Sequence, residues 1–383
     1  MIINEALSAE KKFRTSVEEA QEYIENFDIL ETINNVGNDE VFTPVSVCQK
    51  MLDLLPEKVW TNPNLRWLDP GSKTGVFLRE ATKRLMIGLE KAIPDEQERL
   101  GHILTNMMCG VAITELTALM SRRTVYCSKD ASGPHSDVRM PTTAGNIWFA
   151  RVEHSYVNGK CSECGASEIE MERENRDNYA YGLIHAHGRS QIREALGMKF
   201  DVIVGNPPYQ MDSDGNSRTV PIYNLFVEQA KTMKPKYISM IMPSRWMAGG
   251  LGLNEFRASM LSDRRVRALV DYPNATELFP GVEIKGGVCY FFWDRDNEGA
   301  CDFMLVRGED KSLQRDRILD EYDILVRDEK ALGILKKVLE AGGPFLDSFL
   351  SSRTAFGLYS NFSKYSSVRR RGDIALYASQ KGK

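Results

Sequence analysis

The stretch Phe200 to Gln210, F-D-V-I-V-G-N-P-P-Y-Q, constrains this chain more than any other. Apolar and β-branched residues rise to a glycine, and two prolines follow. A short apolar run closed by Gly-Asn-Pro-Pro reads as a buried strand that ends abruptly. Consecutive prolines lack backbone donors and have fixed φ, so the chain beyond the strand is stiff and cannot extend a ladder. Asn206 therefore projects from a rigid corner, with Tyr209 three residues on. A plain strand-ending turn does not call for an amide, two prolines and an aromatic together.

The chemistry of that corner is specific. Asn206 offers a side-chain oxygen, and Pro207 offers a carbonyl with no N–H of its own. Two acceptors at one corner can take both protons of an amino group. An amine held this way is pushed toward tetrahedral geometry, with its lone pair free for attack. Tyr209 can stack on the ring that carries the amine, an interaction of roughly 1–3 kcal/mol per base. If the base comes from a duplex it must be flipped out, and a second aromatic helps hold it; Phe279 is the candidate. An already activated electrophile, such as a sulfonium methyl donor, makes positioning the main catalytic contribution.

Upstream, Leu65 to Leu78 (L-R-W-L-D-P-G-S-K-T-G-V-F-L) reads as a strand, a Gly-bearing loop and a helix. That is the first β–α turn of a doubly wound sheet, in which ligands sit beyond the carboxyl ends of the strands. The loop lacks the G-x-G-x-x-G spacing of a dinucleotide site, and its Lys73-Thr74 precedes Gly75 rather than following a glycine as in a phosphate loop. An acid at the head of the loop, Asp69, suits a ligand bearing an ammonium group. Earlier still, Val41-Phe42-Thr43-Pro44 reads as a helix start, with Thr43 as N-cap and Pro44 at the first helical position. A helix is expected over 95–107, a strand over Met108 to Ile113 and a helix from Thr114 to Arg123. Glu115 after the second strand is the candidate ribose acid, or a first-turn helix acid. Thr124 to Tyr126 reads as a further strand-like segment. Strand and helix alternate again from residue 222 to 271, and Val266 to Asp271 with Gly286 to Trp293 reads as an antiparallel hairpin. The fold class is thus α/β, a doubly wound Rossmann-like sheet, mostly parallel, with an antiparallel hairpin at one edge.

Between Arg151 and Arg189 the alternation breaks. This polar stretch holds His154, Cys161-Ser-Glu-Cys164-Gly and His185-Ala-His187. Two thiolates at C-x-x-C spacing, followed by histidines, suit one tetrahedral zinc ion. The favoured ligands are His154, Cys161, Cys164 and His185, with Cys127 or His187 as the alternative fourth. Small polar insertions often lack a core and need such a staple.

Composition adds limits. The chain has 383 residues, seven cysteines and a formal charge of −4. Scattered cysteines fit a reducing cytoplasm. The N-terminus has no apolar core of signal-peptide length, and no apolar run approaches a membrane span. From Arg353 to Lys383 the basic residues Arg353, Lys364, Arg369, Arg370, Arg371, Lys381 and Lys383 face a single acid, Asp373. The expected domains are a helical extension over 1–40, a catalytic domain over 41–295 with the insertion at 150–190, and a further domain from 296 that ends in mid-domain at Lys383.

The order Phe42-Thr43-Pro44, Asp69-Pro70-Gly71…Gly75-Val76-Phe77, Asn206-Pro207-Pro208-Tyr209, Leu278-Phe279-Pro280 resembles the gamma class of S-adenosylmethionine-dependent N6-adenine DNA methyltransferases, most closely those of restriction–modification systems. The resemblance covers about residues 40–295. It implies that Thr43, Pro44, Asp69, Gly71, Gly75 and Phe77 contact the cofactor. Glu115 is the ribose candidate, and Asn146 is the candidate for the cofactor adenine, where the family commonly has Asp. The resemblance further implies that Asn206 and Pro207 hold the target amine and that Tyr209 and Phe279 stack on the adenine. The partner is then double-stranded DNA, with a cognate restriction endonuclease alongside, and the region after Asp294 reads the DNA sequence. Lys73 stands where the family has a small residue. Three competing readings stay open: methylation of protein glutamine or of RNA amines, a nuclease using Asp271, Glu283 and Lys285, and a catalytically silent DNA-binding subunit.

Overall fold

In the computed structural model, residues 41–350 are described except 169–179, 198, 215–217, 251 and 345, together with 368, 370 and 372. The expected extension over 1–40 and most of the basic tail lie outside the described residues.

Helix α1 (Val45–Leu52) is followed by strand β1 (Trp67–Ser72) and helix α2 (Val76–Gly88). Helix α3 (Glu96–His102) runs on through a wider turn at Ile103–Met107 into β2 (Met108–Ala112), and α4 (Glu115–Tyr126) and β3 (Ile147–Trp148) follow. The insertion carries the short strands β4 (Tyr156–Val157) and β5 (Lys160–Cys161) and ends in α5 (Ala186–Leu196). Then come β6 (Val202–Gly205), β7 (Gln210–Asp214), β8 (Arg218–Pro221), α6 (Tyr223–Thr232) and β9 (Tyr237–Pro243). The series closes with α7 (Asn254–Ser262), β10 (Val266–Tyr272), β11 (Val288–Asp294), β12 (Cys301–Arg307), β13 (Asp310–Arg317) and α8 (Glu329–Ala341).

Nine strands form one sheet in the order β13-β12-β10-β11-β9-β6-β1-β2-β3. β3, β2, β1, β6 and β9 are mutually parallel. β11 runs antiparallel between β9 and β10. The central strands are buried along their whole length, as expected when helices cover both faces. Alternate side chains feed two separate cores. Trp67, Val202 and Val204 join α1, α2 and α4 on one side, while Leu68, Ile203 and Met240 join α5, α6 and α7 on the other.

Two expectations change. Thr124-Val-Tyr126 is the last turn of α4, not a strand; its β-branched character is overridden by packing, with Val125 and Tyr126 in the core. The sheet also continues past the expected boundary at 295. β12 pairs in parallel with β10, and β13 closes the edge antiparallel to β12, so the first compact unit reaches Glu329. The mostly exposed, charged sequence of β13, D-K-S-L-Q-R-D-R, suits an edge strand. In the second unit, 330–383, the α8 residues are not buried. Among the described residues no helix is long and apolar enough to cross a membrane.

The chain leaves β1 outward through β2 and β3 and then returns to the other flank of β1 as β6. The strand order therefore reverses between β1 and β6. Both turns singled out in the sequence lie at the carboxyl ends of these two strands, where open α/β sheets hold ligands.

Candidate active site

Asp69-Pro70-Gly71 at the end of β1 and Gly205-Asn206-Pro207-Pro208 at the end of β6 interlock. A Cβ on Gly205 would lie 2.8 Å from Asp69 Oδ1 and 3.1 Å from Pro70 Cδ. A Cβ on Gly71 would lie 3.3 Å from Pro207 Cα and 3.4 Å from Pro208 Cδ. The two glycines are what let the turns come this close. Gly75, at φ 74°, opens α2.

The Asn206 side chain is 3% exposed. Its Nδ2 donates to the Val41 carbonyl at 3.1 Å and to Thr43 Oγ1 at 3.0 Å. Two oxygens on that side fix the amide orientation, because the flipped amide would set oxygen against the Val41 carbonyl. Oδ1 faces the other way, buried, and accepts no hydrogen bond. The sequence pattern makes Thr43 the cap of α1. Instead Pro44 occupies the cap position without a side-chain bond, and the Thr43 hydroxyl receives Asn206.

A cavity of about 10 Å³ is lined by Thr43, Asp69, Gly71, Lys73, Thr74, Gly75, Val76, Phe77 and Asn206. It brings together Thr43, Asp69, Gly71, Gly75, Phe77 and Asn206 from the sequence-derived set. Asp69 is 2% exposed, and burial pushes its carboxyl up to about 7. The Gly71 N–H, the Ser72 hydroxyl and the Lys73 charge act in the opposite sense. Sequence reasoning gives Lys73 no role at this site. Its side chain is 5% exposed and its Nζ donates to the Val41 carbonyl at 3.0 Å, the same oxygen that receives Asn206. The available signal was a long cation in a place that suits a small residue.

The remaining candidates lie apart from this cavity. Glu115 is exposed in the first turn of α4, behind its cap Thr114. Asn146 donates its amide to the carbonyls of Leu104 at 3.1 Å and Thr105 at 2.8 Å. Tyr209 and Phe279 are 6% and 2% exposed and belong to one hydrophobic cluster. Burial raises the Tyr209 phenol well above its usual range, and the Asn206 side chain beside the hydroxyl acts in the opposite sense without forming a well-aligned hydrogen bond. Both rings are thus closed in, and a base can reach them only if the site opens. Asp271, named in the nuclease reading, is fully buried, accepts from Ser244 at 2.6 Å and is gripped by Arg327 Nε and Nη2. Glu283 and Lys285 are exposed.

A second constellation lies in the insertion. The ligand atoms of His154, Cys161, Cys164 and His185 all fall within 4.8 Å of one another. The alternatives lie elsewhere: Cys127 is exposed just beyond α4, and His187 is exposed and bonded to Gln191 at 3.0 Å. Burial, with His185 adding to it, holds His154 down at about 4.

The chain matches the Eco57I restriction-modification methylase family over residues 106–279. A Mycoplasma pneumoniae protein described as an uncharacterized adenine-specific methylase is 40% identical over 304 residues, covering 72% of each chain. Among solved structures, the EcoKI M protein of a type I restriction enzyme is 12% identical with a TM-score of 0.46, over 75% of this chain and 52% of that one. A type I restriction–modification complex is 16% identical with a TM-score of 0.42, over 84% of this chain and 55% of that one. The chain thus spans about half the length of these solved structures. On its identity to the Mycoplasma protein across more than two thirds of both sequences, the chain belongs to the adenine-specific methylases.

Proposed function

We propose that this chain methylates the N6 amine of adenine in DNA, using S-adenosylmethionine, as the modification enzyme of a restriction–modification system. One observation carries the reading: the Asn206 amide is anchored through its nitrogen, which leaves a buried, unpartnered oxygen at the switch point of the sheet. A buried acceptor without a partner costs about 1–3 kcal/mol, and a substrate amine proton would remove that cost. The Pro207 carbonyl supplies the second acceptor. Together they hold both amine protons and leave the nitrogen lone pair directed at an electrophile.

The cofactor fits the donor set of the neighbouring turn. Asp69 offers a buried carboxylate to a cationic ligand, and Thr43, Gly71, Gly75 and Phe77 line the same cavity. S-adenosylmethionine, when bound, supplies an activated methyl group on a cationic sulfur. At about 10 Å³ the cavity is too small for a methionyl group, so its lining, which includes Lys73, has to open to admit it. We assign Pro44, which follows Thr43 at the cap of α1, to the cofactor site as well, Glu115 to the ribose and Asn146 to the cofactor adenine. Tyr209 and Phe279 would stack on the extruded base once it enters, and Pro208 keeps the corner rigid. DNA is the partner, residues after 329 contribute to target recognition, and a cognate endonuclease acts on the same site.

The test is transfer of a tritiated methyl group to defined duplex DNA by the wild type and by Asn206→Ala. Transfer to adenine by the wild type and none by the variant is expected. Label on adenine that survives the substitution would sink the mechanism, and label on cytosine, RNA or protein would sink the substrate assignment.

A further inference from the structure

We propose that His154, Cys161, Cys164 and His185 hold one zinc ion in a tetrahedral structural site, which fastens the insertion and the start of α5. Zinc–sulfur and zinc–nitrogen bonds of about 2.3 and 2.05 Å at tetrahedral angles require a sulfur–nitrogen edge of about 3.6 Å. Cys161 Sγ lies 3.6 Å from His185 Nε2, and Cys164 Sγ lies 3.4 Å from His154 Nδ1. With all four atoms within 4.8 Å of one another, the ion needs only a small contraction.

The backbone is built for the same purpose. β4 and β5 pair through Asn158-Gly159, both at positive φ (54° and 73°), the signature of a tight two-residue hairpin. The Cys161 carbonyl then accepts from the Gly165 N–H at 2.9 Å, and Gly165 takes φ 79° just after the second thiol. This loop turns both cysteines of C-x-x-C toward one point. His185 donates from Nδ1 to the Tyr181 carbonyl at 2.8 Å, which fixes the tautomer and leaves Nε2 with its lone pair toward the thiols. Glu163, between the two cysteines, accepts from the first N–H of α5 at 2.7 Å. The loop and the helix start are thus joined at both the ligand and the cap.

The rival arrangement is a pair of thiol–imidazole hydrogen bonds. It explains the two short contacts but not why both pairs converge on one point. Two thiolates and two neutral imidazoles balance a divalent charge, and the mixed sulfur–nitrogen set at four-coordination selects zinc among divalent ions. Binding releases two thiol protons to solvent.

The experiment uses the full chain purified from zinc-supplemented medium without chelator. Elemental analysis should give one zinc per chain. Replacement by cobalt(II) should give the intense visible bands of tetrahedral cobalt with sulfur-to-metal charge transfer. Titration with a mercurial should release the zinc as two thiols react. Cys164→Ser should lose the zinc, while Cys127→Ser should keep it. Chelation should lower amide protection at the hairpin and the first turn of α5 and leave β1 and β2 protected. If Cys164→Ser does not fold, the wild-type metal content and cobalt spectrum still decide the matter. A folded wild-type chain without stoichiometric zinc, octahedral cobalt bands, or zinc retained in Cys164→Ser would each overturn the site. None of these readouts depends on methyl transfer.

Discussion

At the scale of single residues, the amide of Asn206 depends on a partner far away in sequence. Thr43 Oγ1 receives Nδ2 across 163 positions. In Thr43→Val the shape is kept and one acceptor is removed, which leaves a buried N–H with the Val41 carbonyl alone. Stability should fall by about 1–3 kcal/mol. The amide also gains freedom to turn, so kcat should fall more than KM rises; steady-state methyl transfer on duplex DNA checks the split. Asp69 gives a pH dependence. Its carboxyl titrates at about 7 in the cofactor-free chain, mainly because it is buried. Below that pH it is neutral and offers little to a cation, so affinity for S-adenosylmethionine should rise with pH and level off above about 7, falling toward tenfold per unit on the acid side. The sign for folding is opposite: a folded value above the unfolded one makes this group's contribution most favourable below about pH 4 and progressively weaker as pH rises through 7. Calorimetric titration of the cofactor across this range reads the first effect, and a flat profile would remove Asp69 from the contact. The placement of Asn206 and Asp69 side by side at two strand ends was legible because each sits where an apolar run meets turn residues. The Thr43 contact and the Lys73 ammonium were not, because nothing local tells a helix-cap threonine from one that orients a distant amide.

At the scale of elements, the site is the place where two strand ends touch. The close fit of Gly205 on Asp69 and Pro70 predicts an asymmetry. Gly205→Ala puts a methyl 2.8 Å from Asp69 Oδ1 and 3.1 Å from Pro70 Cδ, inside any real contact, so the Asp69 carboxyl or the strand end must shift. Gly71→Ala meets its nearest atom at 3.3 Å and needs only a small adjustment. Overpacking costs typically about 1–3 kcal/mol. Gly205→Ala should lie in that range and also displace Asn206, while Gly71→Ala should stay below it. Thermal denaturation orders the two, and equal losses would argue against the interlock. The strands themselves were legible: an apolar run between turn signals marks a strand buried on both faces, and β1, β6 and β9 follow that rule. The position of β11 between β9 and β10 was not, because an antiparallel hairpin is equally well satisfied at the margin of a sheet. The addition of β12 and β13 escapes the sequence for a related reason. β12 offers only the short run Phe303 to Val306 between charged residues, and β13 has one apolar residue, so neither carries a strong periodic signal.

At the scale of the whole molecule, charge and catalysis are separated along the sequence. The chain is acidic overall at −4, yet the stretch from Arg353 to Lys383 carries seven basic residues and one acid. A net charge says little about nucleic-acid binding when the contacts come from one local patch. The compact unit to Glu329 contains both turns and the cavity, so the cofactor-binding and DNA-anchoring tasks should be separable by truncation. A chain ending at Glu329 should keep its thermal transition and bind S-adenosylmethionine within about twofold of the full chain, since every residue of the cavity is retained. Its DNA affinity should drop. Each phosphate that the shortened chain no longer neutralises makes the slope of log K against log salt shallower by about 0.9. The difference in slope between the full and the shortened chain therefore counts the phosphates held by the tail. Fluorescence anisotropy on a defined duplex at several salt concentrations measures it. A slope unchanged by the truncation would mean that the basic residues do not touch the DNA backbone. The anchoring surface would then have to be sought within the unit that carries Asn206.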